Sequence, residues 1–364
     1  MKKTVILRTA AAILAAVLFY PTCVLADSAQ SAILLDGHTG RVLYEKHADK
    51  QSLIASTTKI MTALIVCQRC NVLDRVRVPR EAVGIEGSSM YLQAGEVITV
   101  QDLLYGLMLS SGNDAAVALA IHCAGTVEDF ARMMNDKARE LGLANTHFVN
   151  PHGLDSQQHY STARDLAVLA AYAMQDPIFA KTVATKQVQA AGRYLINHNK
   201  LLWQVEGADG VKTGYTKAAG RILVSSAVQQ GRRLVCVTIS DRNDWTDHAT
   251  FYQTGFSQFS QKQLVKAGMY LGTLAVSGGR EDAVNVIAAE DFTFAVAPQE
   301  TVTFCLSQKG FAYAPVVRDA FAGYAYVCID GKPFGKVPVY YEKTIEQFVP
   351  KKGTFWQKIV GGKK

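Results

Sequence analysis

The residues best suited to covalent chemistry are Ser56 and Lys59, which lie three positions apart at the start of a predicted helix. Residues at this spacing share a helix face, so the hydroxyl and the amine can meet. Free backbone N–H groups and the helix dipole favour negative charge at this end of a helix. A lysine that burial or a nearby cation keeps neutral can take the serine's proton and so make it a nucleophile. The alternative is an ordinary Ser N-cap followed by a solvated lysine.

Two further short motifs follow in the chain, Ser111-Gly112-Asn113 and Lys212-Thr213-Gly214. The first falls in a predicted loop between two apolar helices and the second at the start of a predicted strand, so both are expected to be exposed to substrate. Each also has a structural interpretation. Asn113 could cap the helix that begins at Asp114, and Lys212 could be a solvated strand residue.

The elements that must position these motifs can be predicted from hydrophobic periodicity. Strand-like runs at both ends of the first two thirds of the chain, with apolar helices between them, predict an antiparallel sheet built from distant segments, covered by helices and carrying a helical subdomain. The fold class is therefore α/β (α+β), with a small all-β domain after it. The predicted strands are 31–36, 41–45, 210–215, 222–228 and 233–240, and the predicted helices are 98–109, 114–123, 127–141, 161–174 and 247–259, besides the Ser56 helix.

The ends of the chain differ in character from its middle. Residues 1–26 combine a basic start, an apolar run and a Val24-Leu25-Ala26 cleavage site, the pattern of a secretory signal peptide. Its removal lowers the net charge from +7 to about +4, which argues against nucleic-acid binding. We expect a catalytic domain at 27–264, a β domain at 265–348, and a basic amphipathic tail at 349–364. The tail resembles a short interfacial membrane anchor, and a disordered basic end is the alternative.

The cysteines give no pattern of a metal site. Six remain after the predicted cleavage, and Cys67 and Cys70 have no second pair at zinc-site spacing. Cys236 has the surroundings of a small hydrophobe in a buried strand, whereas Cys305 and Cys328 lie in separate predicted strands and could pair. Free buried thiols are the default expectation, and no metal or organic cofactor is implied.

Taken together, the three motifs resemble the signature of the penicillin-binding protein and serine β-lactamase superfamily. The surrounding sequence is similar to the low-molecular-weight D-alanyl-D-alanine carboxypeptidases, peptidase family S11. The segments that carry this resemblance are 55–63 (ASTTKIMTA), 87–90 (GSSM), 103–107 (LLYGL), 145–155 (NTHFVNPHGLD) and 160–165 (YSTARD). It extends from about Ser31 into the β domain.

The resemblance implies an exported cell-envelope enzyme whose partners are peptidoglycan stem peptides and, as covalent inhibitors, β-lactams. Ser56 would attack the penultimate D-alanine carbonyl, with Lys59 as base and Ser111 relaying a proton to the leaving amine. The substrate-binding residues implied are Asn113 for the substrate amide, Lys212 and Thr213 for the terminal carboxylate, Gly214 for close approach of the substrate backbone, and Tyr215, whose backbone N–H completes an oxyanion hole with that of Ser56.

Other functions share this signature. A β-lactamase would need a dedicated deacylation base, and no class A Glu-x-x-x-Asn element is found. A DD-endopeptidase or transpeptidase could use the same site on crosslinked peptides. A non-catalytic wall-binding protein would have no use for an activated nucleophile. His152 could position substrate or make a structural hydrogen bond, and Arg242 could bind the terminal carboxylate or be a surface arginine.

Overall fold

The computed structural model describes residues 27–307 and 310–349. The predicted signal peptide at 1–26 and residues 350–364 of the predicted tail lie outside the described residues. The chain divides into two compact units between Gly255 and Phe256. The boundary expected between 264 and 265 stays a prediction.

The first unit is built on an antiparallel sheet whose strand order is β2-β1-β9-β8-β7. The first strand, β1, pairs with β2 on one side and, on the other, with β9, which follows some two hundred residues later, as in the register Leu34↔Cys236. This confirms the prediction of a sheet built from distant segments. Its strands are β1 (Ser31–Asp36), β2 (Val42–Lys46), β7 (Ala208–Thr216), β8 (Gly220–Gln229) and β9 (Arg232–Ile239).

Helices cover both faces of this sheet. On one face α5 contacts β1 and β9, and α1 packs against α5, α2 and α3. On the other face α8 lies so close that a Cβ on Gly255 would stand 2.8 Å from Leu34 Cδ2. The helices are α1 (Lys59–Arg69), α2 (Val100–Met108), α3 (Asn113–Ala124), α4 (Val127–Glu140), α5 (Ala163–Ala173), α6 (Pro177–Ala184), α7 (Leu201–Gln204) and α8 (Asp244–Gln258).

The predicted starts of α2 and α5, residues 98 and 161, each lie two residues before the observed start, which a capping threonine fixes. Thr99 and Thr162 each accept a hydrogen bond from the backbone N–H three residues later, so α2 and α5 begin directly after them. The helix predicted from residue 98 is wrong at its start, because Ile98 pairs with Val76 in a two-stranded ribbon. This ribbon is β3 (Arg75–Arg77) with β4 (Val97–Thr99), and a second one, β5 (Gln187–Ala190) with β6 (Arg193–Ile196), was not predicted, nor were α6 and α7.

The second unit is all-β in its described part, as predicted. Its main sheet has the order β14-β16-β17-β12-β11-β15, and β10 pairs with β13 in a separate ribbon. A turn at Asp330-Gly331 joins β16 to β17, with positive φ at both residues. The strands are β10 (Ser260–Val265), β11 (Tyr270–Ser277), β12 (Ala283–Ala288), β13 (Phe292–Val296), β14 (Val302–Leu306), β15 (Phe311–Tyr313), β16 (Phe321–Ile329) and β17 (Lys332–Tyr341).

The cysteines of the described residues are all free thiols. Cys67, Cys236 and Cys328 are buried, as the default expectation had it. That expectation is wrong for Cys305, which is exposed on β14, and for Cys70 and Cys123, which are only half-buried.

Candidate active site

Ser56 lies in a single 3₁₀ turn, Ala55–Thr58, that leads directly into α1. The turn is fixed by the Thr57 and Thr58 hydroxyls, which donate to backbone carbonyls three residues earlier at 2.6 and 2.8 Å. A neighbouring loop presses against it, because a Cβ on Gly153 would stand 1.9 Å from the Ala55 carbonyl oxygen. Only glycine fits at that position. The N-cap interpretation of Ser56 is wrong, since Ile54 is the N-cap of the turn.

Lys59 is fully buried and in contact with Ser56. Its Nζ lies 2.9 Å from Ser56 Oγ, 2.7 Å from Asn113 Oδ1 and 2.7 Å from the His152 carbonyl oxygen. Burial, reinforced by the charge of Lys212, holds the pKa of Lys59 well below its ordinary value. The interpretation of Lys59 as a solvated lysine is therefore wrong.

Asn113 is held so that its amide oxygen faces Lys59. Its Nδ2 donates to the Glu86 carbonyl, and its own backbone N–H donates to the Ser88 carbonyl at 2.7 Å. The side chain makes no helix cap, because α3 begins at Asn113 itself after an N-cap at Gly112. The capping interpretation is thus wrong. Ser111, two residues before, adopts a left-handed backbone with φ of 61° and is buried.

Asp114 holds the loop around Ser88 against the start of α3. Its carboxylate accepts hydrogen bonds from the Ser89 hydroxyl at 2.6 Å and from the backbone N–H groups of Met90 and Leu92 at 3.1 and 3.0 Å. The segment 87–90 that contributed to the family resemblance is therefore a wall of the site, fixed by a buried carboxylate.

The Lys212-Thr213-Gly214 motif lies on β7, the edge strand beside the Ser56 turn. A Cβ on Gly214 would stand 3.3 Å from the Ser56 backbone nitrogen, so the two backbones approach closely. Lys212 is buried, and its Nζ donates to the Thr213 carbonyl at 2.9 Å. Burial lowers the pKa of Lys212 to about 7. The interpretation of Lys212 as a solvated residue is also wrong.

A cavity of about 300 Å³ opens over these motifs. It brings together Ser56, Ser111, Thr213, Gly214 and Tyr215. Lys59 contacts Ser56 from below the cavity, and Asn113 in turn contacts Lys59. The sequence reasoning did not anticipate the cavity's remaining lining residues, which are Ser88, His198, Arg221, Ile222, Asp244 and Trp245.

Two residues left open by the sequence are now placed. The backbone carbonyl of His152 accepts from Lys59, and its ring Nδ1 accepts from the Leu154 N–H at 3.1 Å. Burial and the Lys59 charge lower the pKa of His152 to about 4. Both contacts correspond to the structural alternative. Arg242 is exposed and does not line the cavity, whereas Arg221 does. The register of the β7–β8 hairpin was the available signal, since it sets Arg221 opposite Tyr215.

Comparisons with known proteins agree with this geometry. The family model described as D-alanyl-D-alanine carboxypeptidase matches residues 22–243, and that of the penicillin-binding protein 5 C-terminal domain matches residues 259–347. D-alanyl-D-alanine carboxypeptidase DacF of Bacillus subtilis is 32% identical over 336 residues, covering 87% of this chain and 86% of its own. Penicillin-binding protein 5 of Haemophilus influenzae superposes with a TM-score of 0.74 at 29% identity, covering 88% and 98%. The Streptomyces K15 DD-transpeptidase gives a TM-score of 0.60 at 34% identity, covering 64% and 99%.

Fold and site define a serine enzyme of the penicillin-binding-protein class. The chain belongs to the D-alanyl-D-alanine carboxypeptidase family, peptidase S11, and is a serine-type D-alanyl-D-alanine carboxypeptidase. The predicted family and fold class are thereby confirmed. Proteins of this class bind peptidoglycan peptides and β-lactams and act in the cell envelope.

Within 27–307 and 310–349, no group of three or more His, Cys, Asp or Glu side chains is arranged to hold a metal ion. No helix of these same residues is long and apolar enough to cross a bilayer.

Proposed function

We propose that the chain removes the terminal D-alanine from peptidoglycan stem pentapeptides through an acyl-enzyme on Ser56. The Ser56 hydroxyl adds to the carbonyl of the penultimate D-alanine, the peptide bond breaks, and D-alanine leaves with a proton on its amine. Water then hydrolyses the ester and restores the serine. The observation that carries this proposal is the 2.9 Å contact between Lys59 Nζ and Ser56 Oγ, in which the lysine is fully buried and the serine lines the cavity.

Lys59 is the base in this scheme, and its contacts support that role. A neutral amine has two N–H groups and one lone pair. Asn113 Oδ1 and the His152 carbonyl oxygen, both pure acceptors at 2.7 Å, take the two N–H groups. The lone pair then faces the Ser56 hydroxyl, which becomes the donor. Burial, together with the charge of Lys212, lowers the pKa of Lys59 and so favours this neutral form.

Ser111 and Asn113 serve the leaving group and the substrate amide. Ser111 lines the cavity beside Ser56, and a hydroxyl can accept one proton while donating another to the leaving amine. Asn113 orients Lys59 through Oδ1 and hydrogen-bonds the substrate amide. The hydrogen bond from Asn113 Nδ2 to the Glu86 carbonyl fixes the orientation of the amide, which supports both of these roles.

The edge strand β7 binds the substrate backbone. Gly214 lets an extended peptide lie against the strand edge as an added strand. The backbone N–H groups of Ser56 and Tyr215 form the oxyanion hole, and loss of such a donor costs about a hundredfold in rate. Lys212 attracts the terminal carboxylate by its charge, and the Thr213 hydroxyl binds it directly.

This chemistry fits an enzyme that acts outside the cytoplasm, on the side of the membrane where the cell wall lies. The basic and apolar start at 1–26 supports export.

The tail at 349–364 has five lysines, no acidic residue, and aromatic and aliphatic residues spaced for one helix face, which supports peripheral contact with anionic lipid. Vesicle flotation of the mature chain with and without 349–364 tests the tail, and equal binding by both forms would rule it out.

The second candidate is transfer or hydrolysis on crosslinked peptides, which the likeness to the Streptomyces DD-transpeptidase favours. A β-lactamase is the third, and rapid release of hydrolysed penicillin would indicate it. Incubation of the mature protein with a pentapeptide ending in D-Ala-D-Ala separates these functions from the proposed one. We expect free D-alanine from the wild type and from Ser277→Ala, an exposed serine of the second unit, and none from Ser56→Ala. No release from the wild type, with penicillin still bound at Ser56, would replace the proposal by the crosslink-specific activity.

A further inference from the structure

Two half-buried cysteines, Cys70 and Cys123, lie at the far ends of the two helices that carry the catalytic motifs. Cys70 is the C-cap residue of α1, and Cys123 belongs to the last turn of α3. Both side chains pack against the core of the first unit, and the two thiols are in hydrogen-bonding contact. The mechanism proposed for Ser56 uses neither thiol, so it does not account for their proximity.

The helices α1 and α3 run side by side in the same direction. At the active-site end, Lys59 Nζ lies 2.7 Å from Asn113 Oδ1, and these are the first residues of the two helices. At the other end, His122 Nε2 lies 3.9 Å from Asp74 Oδ2, which also brings the end of α3 to the segment that follows α1. The 11 residues of α1 span roughly 16 Å. The thiol pair therefore joins the two helices a full helix length away from the lysine and the asparagine.

Cys67 is the competing partner for either thiol. It lies one turn before Cys70 on α1, close enough to act on Cys70 electrostatically. Its side chain is buried, however, whereas Cys70 and Cys123 are half-buried. Exchange with a disulfide in solution requires an accessible sulfur, which favours Cys70 and Cys123 over Cys67.

We propose that Cys70 and Cys123 form a disulfide when they meet a disulfide oxidant, and that this bond joins α1 to α3 at the end remote from Ser56. The inference goes beyond the proposed function, because neither cysteine touches the substrate or the reacting atoms. Outside the cytoplasm such bonds form and persist, in keeping with the proposed export. The bond closes a loop of about fifty residues and stabilises the fold by restricting the unfolded chain.

The reaction is thiol–disulfide exchange with the oxidant. The hydrogen bond from Cys70 lowers the pKa of the Cys123 thiol, which makes Cys123 the attacking sulfur. Its thiolate attacks one sulfur of the oxidant's disulfide, that S–S bond breaks, and one thiol leaves. The Cys70 sulfur then attacks Cys123 Sγ in the mixed disulfide, and the second thiol leaves. The two cysteines are oxidised, and the oxidant is reduced to two thiols that take up the two protons.

Peptide mapping locates the bond. The mature protein is incubated with glutathione disulfide, alkylated and digested with trypsin without reduction. Trypsin cuts after Arg69, so Cys67 falls in peptide 60–69, Cys70 in 70–75 and Cys123 in 81–132. We expect 70–75 to be linked to 81–132, and the link to disappear after treatment with dithiothreitol. A link from 60–69 to 81–132, or alkylation of all three thiols, would overturn the proposal.

Heat inactivation measures what the bond does to the helix pair. We would determine the temperature at which half of the penicillin binding is lost, with and without dithiothreitol. Reduction of the oxidised wild type should lower this temperature by roughly 5–15 °C. Cys70→Ser and Cys123→Ser should not respond to the reductant. Cys305→Ser is the matched control, since it removes an exposed thiol of the second unit and should respond like the wild type.

The comparison with and without reductant is made within each protein, so a general loss of stability in a serine variant does not affect it. An unchanged temperature on reduction of the wild type, or an equal response in Cys70→Ser, would overturn the stabilising role of the bond. Failure of the wild type to bind penicillin would overturn the proposed function, whereas the peptide map decides the disulfide on its own.

Discussion

The two units of this chain bury different kinds of side chain. In the described part of the second unit, every buried residue is apolar or glycine. The first unit buries two lysines, Lys59 and Lys212, together with carboxylates such as Asp114 and the neutral His248. All eight histidines of the chain also precede Gly255.

Buried ionisable side chains, which can take part in chemistry, lie in the first unit, whereas the buried side chains of the second unit only stabilise the fold. Taking an ionisable group out of water is unfavourable unless hydrogen bonds satisfy it, and the group tends to become neutral. The first unit buries ionisable groups around Ser56 although their desolvation is unfavourable, because a lysine that burial keeps neutral can activate a serine. The second unit has a core of valine, alanine, isoleucine and leucine. Burial of these side chains stabilises the fold and takes no ionisable group out of water.

The largest expected effect comes from replacing the buried lysine beside Ser56 by an apolar residue, the kind of residue that the second unit buries. Lys59→Met keeps the length of the side chain and removes the amine. We expect the acylation rate constant with penicillin to fall by about 10³-fold or more, because Lys59 is the one base among the described residues that hydrogen-bonds to the Ser56 hydroxyl. Stopped-flow or quenched acylation measures this, with exposed Lys50→Met as the control. A loss of less than tenfold would mean that another group activates the serine.

The next largest effect is on the pH profile. The pKa of Lys212 lies at about 7, so the free enzyme loses this cation as the pH rises through that value. The kcat/KM for D-alanine release should therefore fall on the alkaline side with an apparent pKa near 7. Lys212→Arg keeps the charge, and its alkaline limb should move up by at least about 2 pH units. An unchanged limb in the variant would assign it to a different group.

A smaller effect concerns stability in acid. His248 is fully buried, with Ser225 Oγ 2.6 Å from Nδ1 and Thr238 Oγ1 3.0 Å from Nε2, and its pKa is lowered to about 3. The unfolded histidine titrates near 6.5, so the unfolded state binds the proton first. The stability this neutral ring contributes is complete above that pH and is lost as the pH falls towards 3.

At pH 5 the loss is roughly 2 kcal/mol for such a group. Urea unfolding at pH 7 and pH 5, followed by tryptophan fluorescence, gives the difference in free energy of unfolding. His248→Gln should reduce that difference by about this amount, whereas His38→Gln, at an exposed position, should leave it as in the wild type. Equal pH dependence in all three proteins would show that His248 contributes nothing to it.

Much of the fold followed from local pattern. The strands of the first sheet, the helices α2 to α5 and the turn before β17 all have periodicity, caps or turn residues that act within a few positions. The prediction missed α7 and the β5–β6 ribbon, and it missed α6 although the Asp176 cap and the Pro177 that follows it are local signals of a helix start. It also placed Ile98 in a helix, because an apolar stripe cannot reveal that the residue pairs with Val76 across the chain.

The candidate site, like the fold, could be predicted only in part. The residue types of the three motifs, read with the family resemblance, were enough to select Ser56, Lys59 and Asn113, which the structure brings into contact. Their burial could not be predicted, because it depends on distant segments such as the loop carrying His152. For the same reason the sequence drew attention to Arg242, which is exposed, and not to Arg221, which lines the cavity and pairs with Asp244 at the start of α8.

The central claim is that Ser56, activated by a buried neutral lysine, is the nucleophile. Mass spectrometry of the penicillin adduct tests it most directly, by locating the modified residue in the wild type and in Ser56→Ala. The account predicts one adduct, on the peptide that contains Ser56, and no adduct in the variant, whose circular dichroism and free energy of unfolding should match the wild type. An adduct on Ser56→Ala formed at the wild-type rate would contradict the account.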